Sequence, residues 1–338
     1  MDMGKPILEV KNLETHFIYK HETVRAVQGV SFTVNEQETF GLVGESGCGK
    51  SMTCRSIIGL VKKPGKIVGG DILFEGESLI GKSEREMRKI RGKEIGMIFQ
   101  EPMTALNPLL KVKSQIIDAL DKSVYDTKEK QYARALEMLK LVGIPEPEAR
   151  LEEYPHQFSG GMRQRVMIAI ALCSGLKLVL ADEPTTALDV TIQDQVMKLI
   201  NRLRNQLKMS VILVTHDLGV VAQMCDRVAV MYAGHIVETT DTRTLFSKPR
   251  HPYTYALMKS LPTGKEEGKR LPTLEGAPPN LAKEILGCPF AERCAYAEAI
   301  CRDQCPALQP YRGDESHMVA CHFTDERTEF AGVNGQKQ

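Results

Sequence analysis

The chain has 338 residues, room for one large domain or two to three smaller ones. Lys and Arg number 44 against 43 Asp and Glu, so the net charge of +1 gives no general electrostatic footprint for nucleic acid. Apolar residues make up 42% and charged residues 26%, an ordinary globular balance. No run approaches the ~18 uninterrupted apolar residues of a bilayer span, and the first residues lack the apolar core of a signal peptide. Any membrane role is therefore expected to run through a partner.

In chain order, residues 7–10 and 26–34 read as short strands with imperfect alternation. Residues 38–43 form an apolar, strand-like stretch. It runs into Gly44-Glu45-Ser46-Gly47-Cys48-Gly49-Lys50-Ser51, which fits G-x-x-x-x-G-K-[ST] at every fixed position. Residues 51–60 then read as a helix. A loop of this kind, here Gly44, Ser46, Gly47, Cys48 and Gly49, turns consecutive backbone N–H groups toward a polyphosphate. Lys50 is placed to reach the β/γ-phosphates and the Ser51 hydroxyl to ligate Mg²⁺, with Met52 beside them at the positive end of the helix. Residues 71–74 and 95–99 look like further strands, and 102–175 are mostly helical in pattern. The clearest helix there is Lys128–Leu141, closed by Gly143 and Pro145.

Residues 178–181 and 211–214 are apolar strands of buried character, separated by a helix from 189 to about 206. The first ends in Asp182-Glu183. An apolar strand surfacing at two acids beside a phosphate loop suits Asp182 to Mg²⁺, through water, and Glu183 to polarising an attacking water as general base. Phe158-Ser159-Gly160-Gly161 precedes a long helix. Ser159 fits an N-cap, and Gly160 and Gly161 allow close backbone approach, which makes a second phosphate cradle. One nucleotide needs one cradle, so the second makes sense if it caps a nucleotide bound by another subunit. Residues 227–238 look like a hairpin turning at Ala233-Gly234, and 262–281, rich in Pro, Gly and charge, read as a linker. Of nine cysteines, Cys288, Cys294, Cys301, Cys305 and Cys321 crowd near the C-terminus. In a cytosolic chain that suggests metal more than disulfides. No internal repeat is present.

The whole set, in this order, resembles the ATP-binding subunits of ABC transporters. The resemblance implies an α/β, P-loop (RecA-like) nucleotide-binding domain with an antiparallel β subdomain and a helical insertion. On it, Gln100 is similar to the glutamine linking Mg²⁺ to the permease interface, and Ser159, Gly160 and Gly161 to the signature core, with Met162 where many members carry Gln. Thr186-Ala187-Leu188-Asp189 resembles the loop crossing the dimer interface, and His216 the histidine contacting the γ-phosphate. Phe17, nine residues before Ala26, resembles the aromatic that stacks on adenine, with Tyr19 as the alternative. Cys48 stands where serine is common. A pKa lowered by Lys50 and the helix end would make it sensitive to oxidation.

Three further stretches narrow the resemblance to the oligopeptide/dipeptide (and nickel) importers. They are residues 99–108, residues 154–158 with 163–169, and the tail Leu245-Phe246 to Pro252-Tyr253-Thr254. The first ATPase of such an importer would work with two transmembrane permeases, a sister ATP-binding subunit or a second copy of itself, and indirectly an extracytoplasmic binding protein. It would lie peripherally at the cytoplasmic face of the membrane, binding no nucleic acid. A soluble ABC ATPase acting on nucleic acid or the ribosome is the rival reading, disfavoured by the single nucleotide unit and the neutral charge. The resemblance also implies that Cys288-x5-Cys294-x6-Cys301-x19-Cys321 holds a [4Fe-4S] cluster, with Cys305 the extra cysteine and His317 and His322 as substitutes. The implied domains are 6–260 for the nucleotide-binding domain, its helical subdomain at about 102–175, and 261–325 for the linker and cysteine-rich extension.

Overall fold

The computed structural model describes residues 4–99, 106–185, 189–260 and 274–324. Its strands, in chain order, are β1 (Pro6–Ile18), β2 (Thr23–Asn35), β3 (Thr39–Val43), β4 (Gly65–Phe74), β5 (Glu77–Ser78), β6 (Ile95–Ile98), β7 (Leu178–Asp182), β8 (Ser210–Thr215), β9 (Arg227–Tyr232), β10 (His235–Asp241), β11 (Gln309–Tyr311) and β12 (Asp314–Val319). The chain divides into two units. One comprises Met1–Ile7, Asn35–Glu38 and Gly81–Val214; the other comprises Leu8–Val34, Thr39–Ile80 and Thr215–Gln338.

In the first unit, β6, β7 and β8 run parallel, with Ile95 opposite Leu178 and Leu178 opposite Ser210. Every residue of these strands is buried, which is why their sequences read as continuous apolar runs rather than alternating ones. Helices Val112–Ala119, Lys128–Leu141 and Gly160–Leu172 pack on one another and bury Ile116, Ala135, Met138, Leu139, Val166 and Ala169. Lys128–Leu141 matches its expected span: Thr127 accepts from the Lys130 N–H at the start, and Gly143 turns left-handed (φ 74°) just past the end. The helix expected from 189 runs Val190–Leu207, with Asp189 as its N-cap.

In the second unit, β2, β1, β4 and β5 form one sheet, in that order. β1 and β4 pair antiparallel over a register broken between Lys11 and Thr15. β3 pairs parallel with β9, β9 antiparallel with β10, and β10 with β12. The β9–β10 turn falls at Ala233-Gly234 as expected, both at positive φ (47° and 86°), the geometry a tight hairpin needs. The helix expected over 51–60 is shorter, Lys50–Ile57, because Gly59 at φ 65° closes it with its N–H on the Ser56 carbonyl. β1 and β2 are longer than the sequence suggests. The β11–β12 hairpin, unforeseen in the sequence, attaches the cysteine-bearing segment to the edge of β10. Residues 261–273 of the expected linker lie outside the described residues.

Candidate functional site

β3 is buried throughout and delivers the chain at Gly44. Gly44 (φ 150°) and Gly49 (φ 106°) cannot be replaced: an added Cβ would stand 2.1 Å from the Met231 carbonyl oxygen and 2.4 Å from that of Ala26. The loop between them presents Ser46 and Gly47 to solvent and buries Cys48. Helix Lys50–Ile57 starts at Gly49 with no side-chain cap and no acid in its first turn, so its positive dipole end faces an anion without a competing carboxylate of its own. Ser51 and Met52 are half-buried in that turn. Lys50 is buried, and its Nζ donates to the carbonyl oxygens of Gly44 and Glu45, both at 2.8 Å. These features fit a polyphosphate.

The Cys48 thiol corrects one expectation. Burial raises its pKa, and this outweighs the lowering effect of Lys50, whose Nζ lies 3.6 Å from the sulfur. Cys48 is a packed thiol, not a reactive one.

Glu45, inside the loop, is held from two sides. Its N–H donates to Tyr253 Oη at 2.9 Å, and its carboxylate takes a two-pronged ion pair from Arg293, at 2.6 and 2.9 Å. The Arg293 side chain is only 5% exposed. Its remaining donors go to Tyr232 Oη and to the Leu274 and Glu275 carbonyls. Sequence reasoning missed Arg293: it lies 248 positions from its partner and carries no motif of its own. Its only signal was its place directly before Cys294.

In the first unit, β7 ends at buried Asp182. Glu183 follows at φ 45°, a strained conformation for a non-glycine residue, and its N–H donates to the Val214 carbonyl at 3.0 Å. Ser159 caps helix Gly160–Leu172 by accepting from the Met162 N–H at 3.3 Å. Ser159 and Gly160 are exposed. A Cβ on Gly161 would meet Ile192 at 3.3 Å, and exposed Asp189 accepts from the Ile192 N–H at 3.0 Å, so this unit brings the two helix starts together. Fully buried Gln164 of the same helix donates to the Pro184 carbonyl, one residue past Glu183, a contact the sequence did not disclose.

The second unit carries the other expected residues. Exposed His216 follows β8, and Asp217 caps the next helix through the Gly219 and Val220 N–H groups. Half-buried Phe17 sits opposite Gly65 in the β1–β4 pair, while Tyr19 is 49% exposed. Gln100 and Thr186-Ala187-Leu188 lie outside the described residues.

Cys288, Cys294, Cys301 and Cys321 all line one small cavity, whereas Cys305 is exposed and not part of its wall. No disulfide joins these thiols. Burial pushes the Cys288 thiol up to about 12, with further upward pressure from the other three sulfurs. His317 is committed to Glu238 at 2.8 Å, and His322 to the Gln304 carbonyl at 2.9 Å. Among the described residues no three His, Cys, Asp or Glu side chains stand as a group that could hold a metal ion. Nor is any described helix long and apolar enough to cross a membrane.

Comparison with known proteins adds the following. Residues 27–186 match the ABC transporter family, and residues 237–301 match the oligopeptide/dipeptide transporter C-terminal region. The chain is 49% identical over 330 residues to the dipeptide transport ATP-binding protein DppD of Bacillus subtilis, covering 97% of this chain and 98% of that one. It is 50% identical over 315 residues to the oligopeptide transport ATP-binding protein OppD of the same organism, covering 93% and 87%. Among solved structures, the ATP-binding cassette MJ0796, in a dimeric post-hydrolysis state bound to ADP and Pi, superposes with a TM-score of 0.61 at 29% identity. That match covers 70% of this chain and 99% of the cassette.

Proposed function

Because the chain belongs to the ABC transporter ATP-binding family, with an oligopeptide/dipeptide transporter C-terminal region, we propose that it is the ATP-hydrolysing subunit of a peptide importer. The observation that carries this is the phosphate loop: two glycines that admit no side chain, an uncapped helix start and a buried lysine. ATP is held by the backbone of Gly44, Ser46, Gly47, Cys48 and Gly49, by Lys50, and by Ser51 and Met52 at the helix start. Phe17 stacks on the adenine, with Tyr19 as the alternative.

Ser51, Gln100 and Asp182 would hold Mg²⁺, which when bound offsets charge on the β/γ-phosphates. Glu183 accepts the proton of the attacking water, and its strained backbone fixes where the carboxylate starts from. His216 contacts the γ-phosphate. Ser159 and Gly160 are exposed, and with Gly161 and Asp189 they cap ATP bound by another subunit, either a sister ATPase or a second copy. Closure of that pair drives two permeases fed by an extracytoplasmic binding protein, with this chain peripheral at the cytoplasmic face and no nucleic acid involved. The nucleotide-binding domain spans 6–260, with a helical subdomain over about 102–175, and the linker and cysteine-rich extension span 261–325.

We also assign Cys288, Cys294, Cys301 and Cys321 to an iron–sulfur cluster. Their shared cavity and all-thiol donor set suit one, and the cluster would cross-link a loop-rich segment.

Two experiments test the proposal. Glu183→Gln should retain ATP binding and lose turnover by at least ~100-fold; undiminished turnover would refute the assigned base. Affinity capture from mildly solubilised membranes should recover two multi-span permeases, and recovery of only soluble partners would overturn the transport role.

A further inference from the structure

Glu45 brings a carboxylate into a loop whose task is to hold a polyphosphate. Two anions in one site repel, so an unpaired Glu45 would oppose ATP. The chain answers with Arg293. Its guanidinium meets both Glu45 oxygens, at 2.6 and 2.9 Å, and it is fixed by bonds to Tyr232 Oη and to the Leu274 and Glu275 carbonyls. Paired forks of this kind are strong and directional, and burial keeps water from screening them. Glu45 is also the residue on whose carbonyl Lys50 rests, and its N–H is tied to Tyr253. The Glu45 side chain, N–H and carbonyl are thus all engaged, and the loop shape follows from them.

Arg293 closes the short helical turn Ala291–Arg293, which lies between Cys288 and Cys294. That turn is anchored by Phe290, whose ring packs against Tyr232 and Tyr253 at 5.3 Å each. The cysteine-bearing segment is distant from the phosphate loop in sequence, yet it reaches the loop through Arg293.

We infer that Arg293 is a positioning residue for ATP binding: it neutralises Glu45 and sets the phosphate loop, so the cysteine-bearing segment tunes nucleotide affinity. The inference rests on the reading that residues 44–51 hold the triphosphate.

The test is equilibrium ATP binding and steady-state ATPase activity of the full chain, with thermal unfolding of each variant alongside. Arg293→Ala should weaken ATP binding about tenfold, the loss falling on KM more than on kcat. Adding Glu45→Gln to Arg293→Ala should return most of the affinity, because the repelling charge is gone. A purely structural role for Arg293 would give no such rescue. Arg293→Lys keeps the charge and should fall between Arg293→Ala and the parent chain. Should Arg293→Ala not fold, Arg293→Gln, which keeps a polar head and loses the charge, serves the same pairing with Glu45→Gln. Unchanged affinity in the Arg293 variants, or failure of Glu45→Gln to rescue, overturns the inference if Lys50→Ala has lost ATP binding. If Lys50→Ala binds ATP undiminished, the phosphate-loop reading itself falls.

Discussion

Gln164 donates its side-chain amide to the carbonyl oxygen of Pro184, tying the helix that begins at Ser159 to the turn that carries Glu183. Gln164 is fully buried, and its own Oε1 has no hydrogen-bond partner among the described residues. Burying a half-satisfied amide costs stability, and the bond to the Pro184 carbonyl is what offsets that cost.

Gln164→Leu should remove that tie and leave the Pro184 carbonyl unpaired. We expect a stability loss of about 1–3 kcal/mol and a fall in ATPase kcat, with ATP affinity little changed. Chemical denaturation together with steady-state kinetics checks both. A variant as active as the parent would show that Glu183 needs no support from this helix.

Cys48 should resist alkylation at neutral pH, since burial raises its pKa and keeps it a thiol. Iodoacetamide treatment followed by peptide mass spectrometry should find exposed Cys305 modified and Cys48 untouched. ATPase activity lost in step with Cys48 labelling would contradict this.

Buried His251 and half-buried His235 make the fold sensitive to acid. Burial lowers His251 to about 3 and His235 to about 4, so both are neutral when folded, whereas an unfolded histidine takes a proton near pH 6.5. Between pH 6.5 and about 4 the unfolded chain binds more protons. Stability therefore falls as pH falls, by up to about 1.4 kcal/mol for each pH unit and each histidine. Urea melts at pH 7, 6 and 5 check the slope, and His235→Gln should flatten it.

The proposed cluster predicts a division among the C-terminal cysteines. Chain purified without oxygen should carry iron and sulfide. Cys301→Ser, which removes a buried cavity-lining thiol, should lose most of both, while Cys305→Ser should retain them. Equal retention in the two variants would remove the assignment.

Much of this chain was legible because its signals are local. The phosphate loop reads from eight consecutive residues, since the glycines, the lysine and the helix start act through neighbouring backbone. β7 and β8 read from unbroken apolar runs because both faces are covered. Ser159 read as a cap because a cap bonds a backbone N–H three residues on. The β11–β12 hairpin was not legible: its strands are three and six residues long, and β12 is held by β10, some eighty positions earlier.

The sequence by itself determined the nucleotide chemistry and the family, because residue type at short spacing encodes both. Only the tertiary structure decided what surrounds that chemistry. It sets the Cys48 thiol high, since burial depends on the whole packed neighbourhood rather than on adjacent Lys50. It ties Gln164 to Pro184 and brings Arg293 to Glu45, 248 positions away. Such pairings form only once the sheets have brought distant segments into register, so no local pattern announces them.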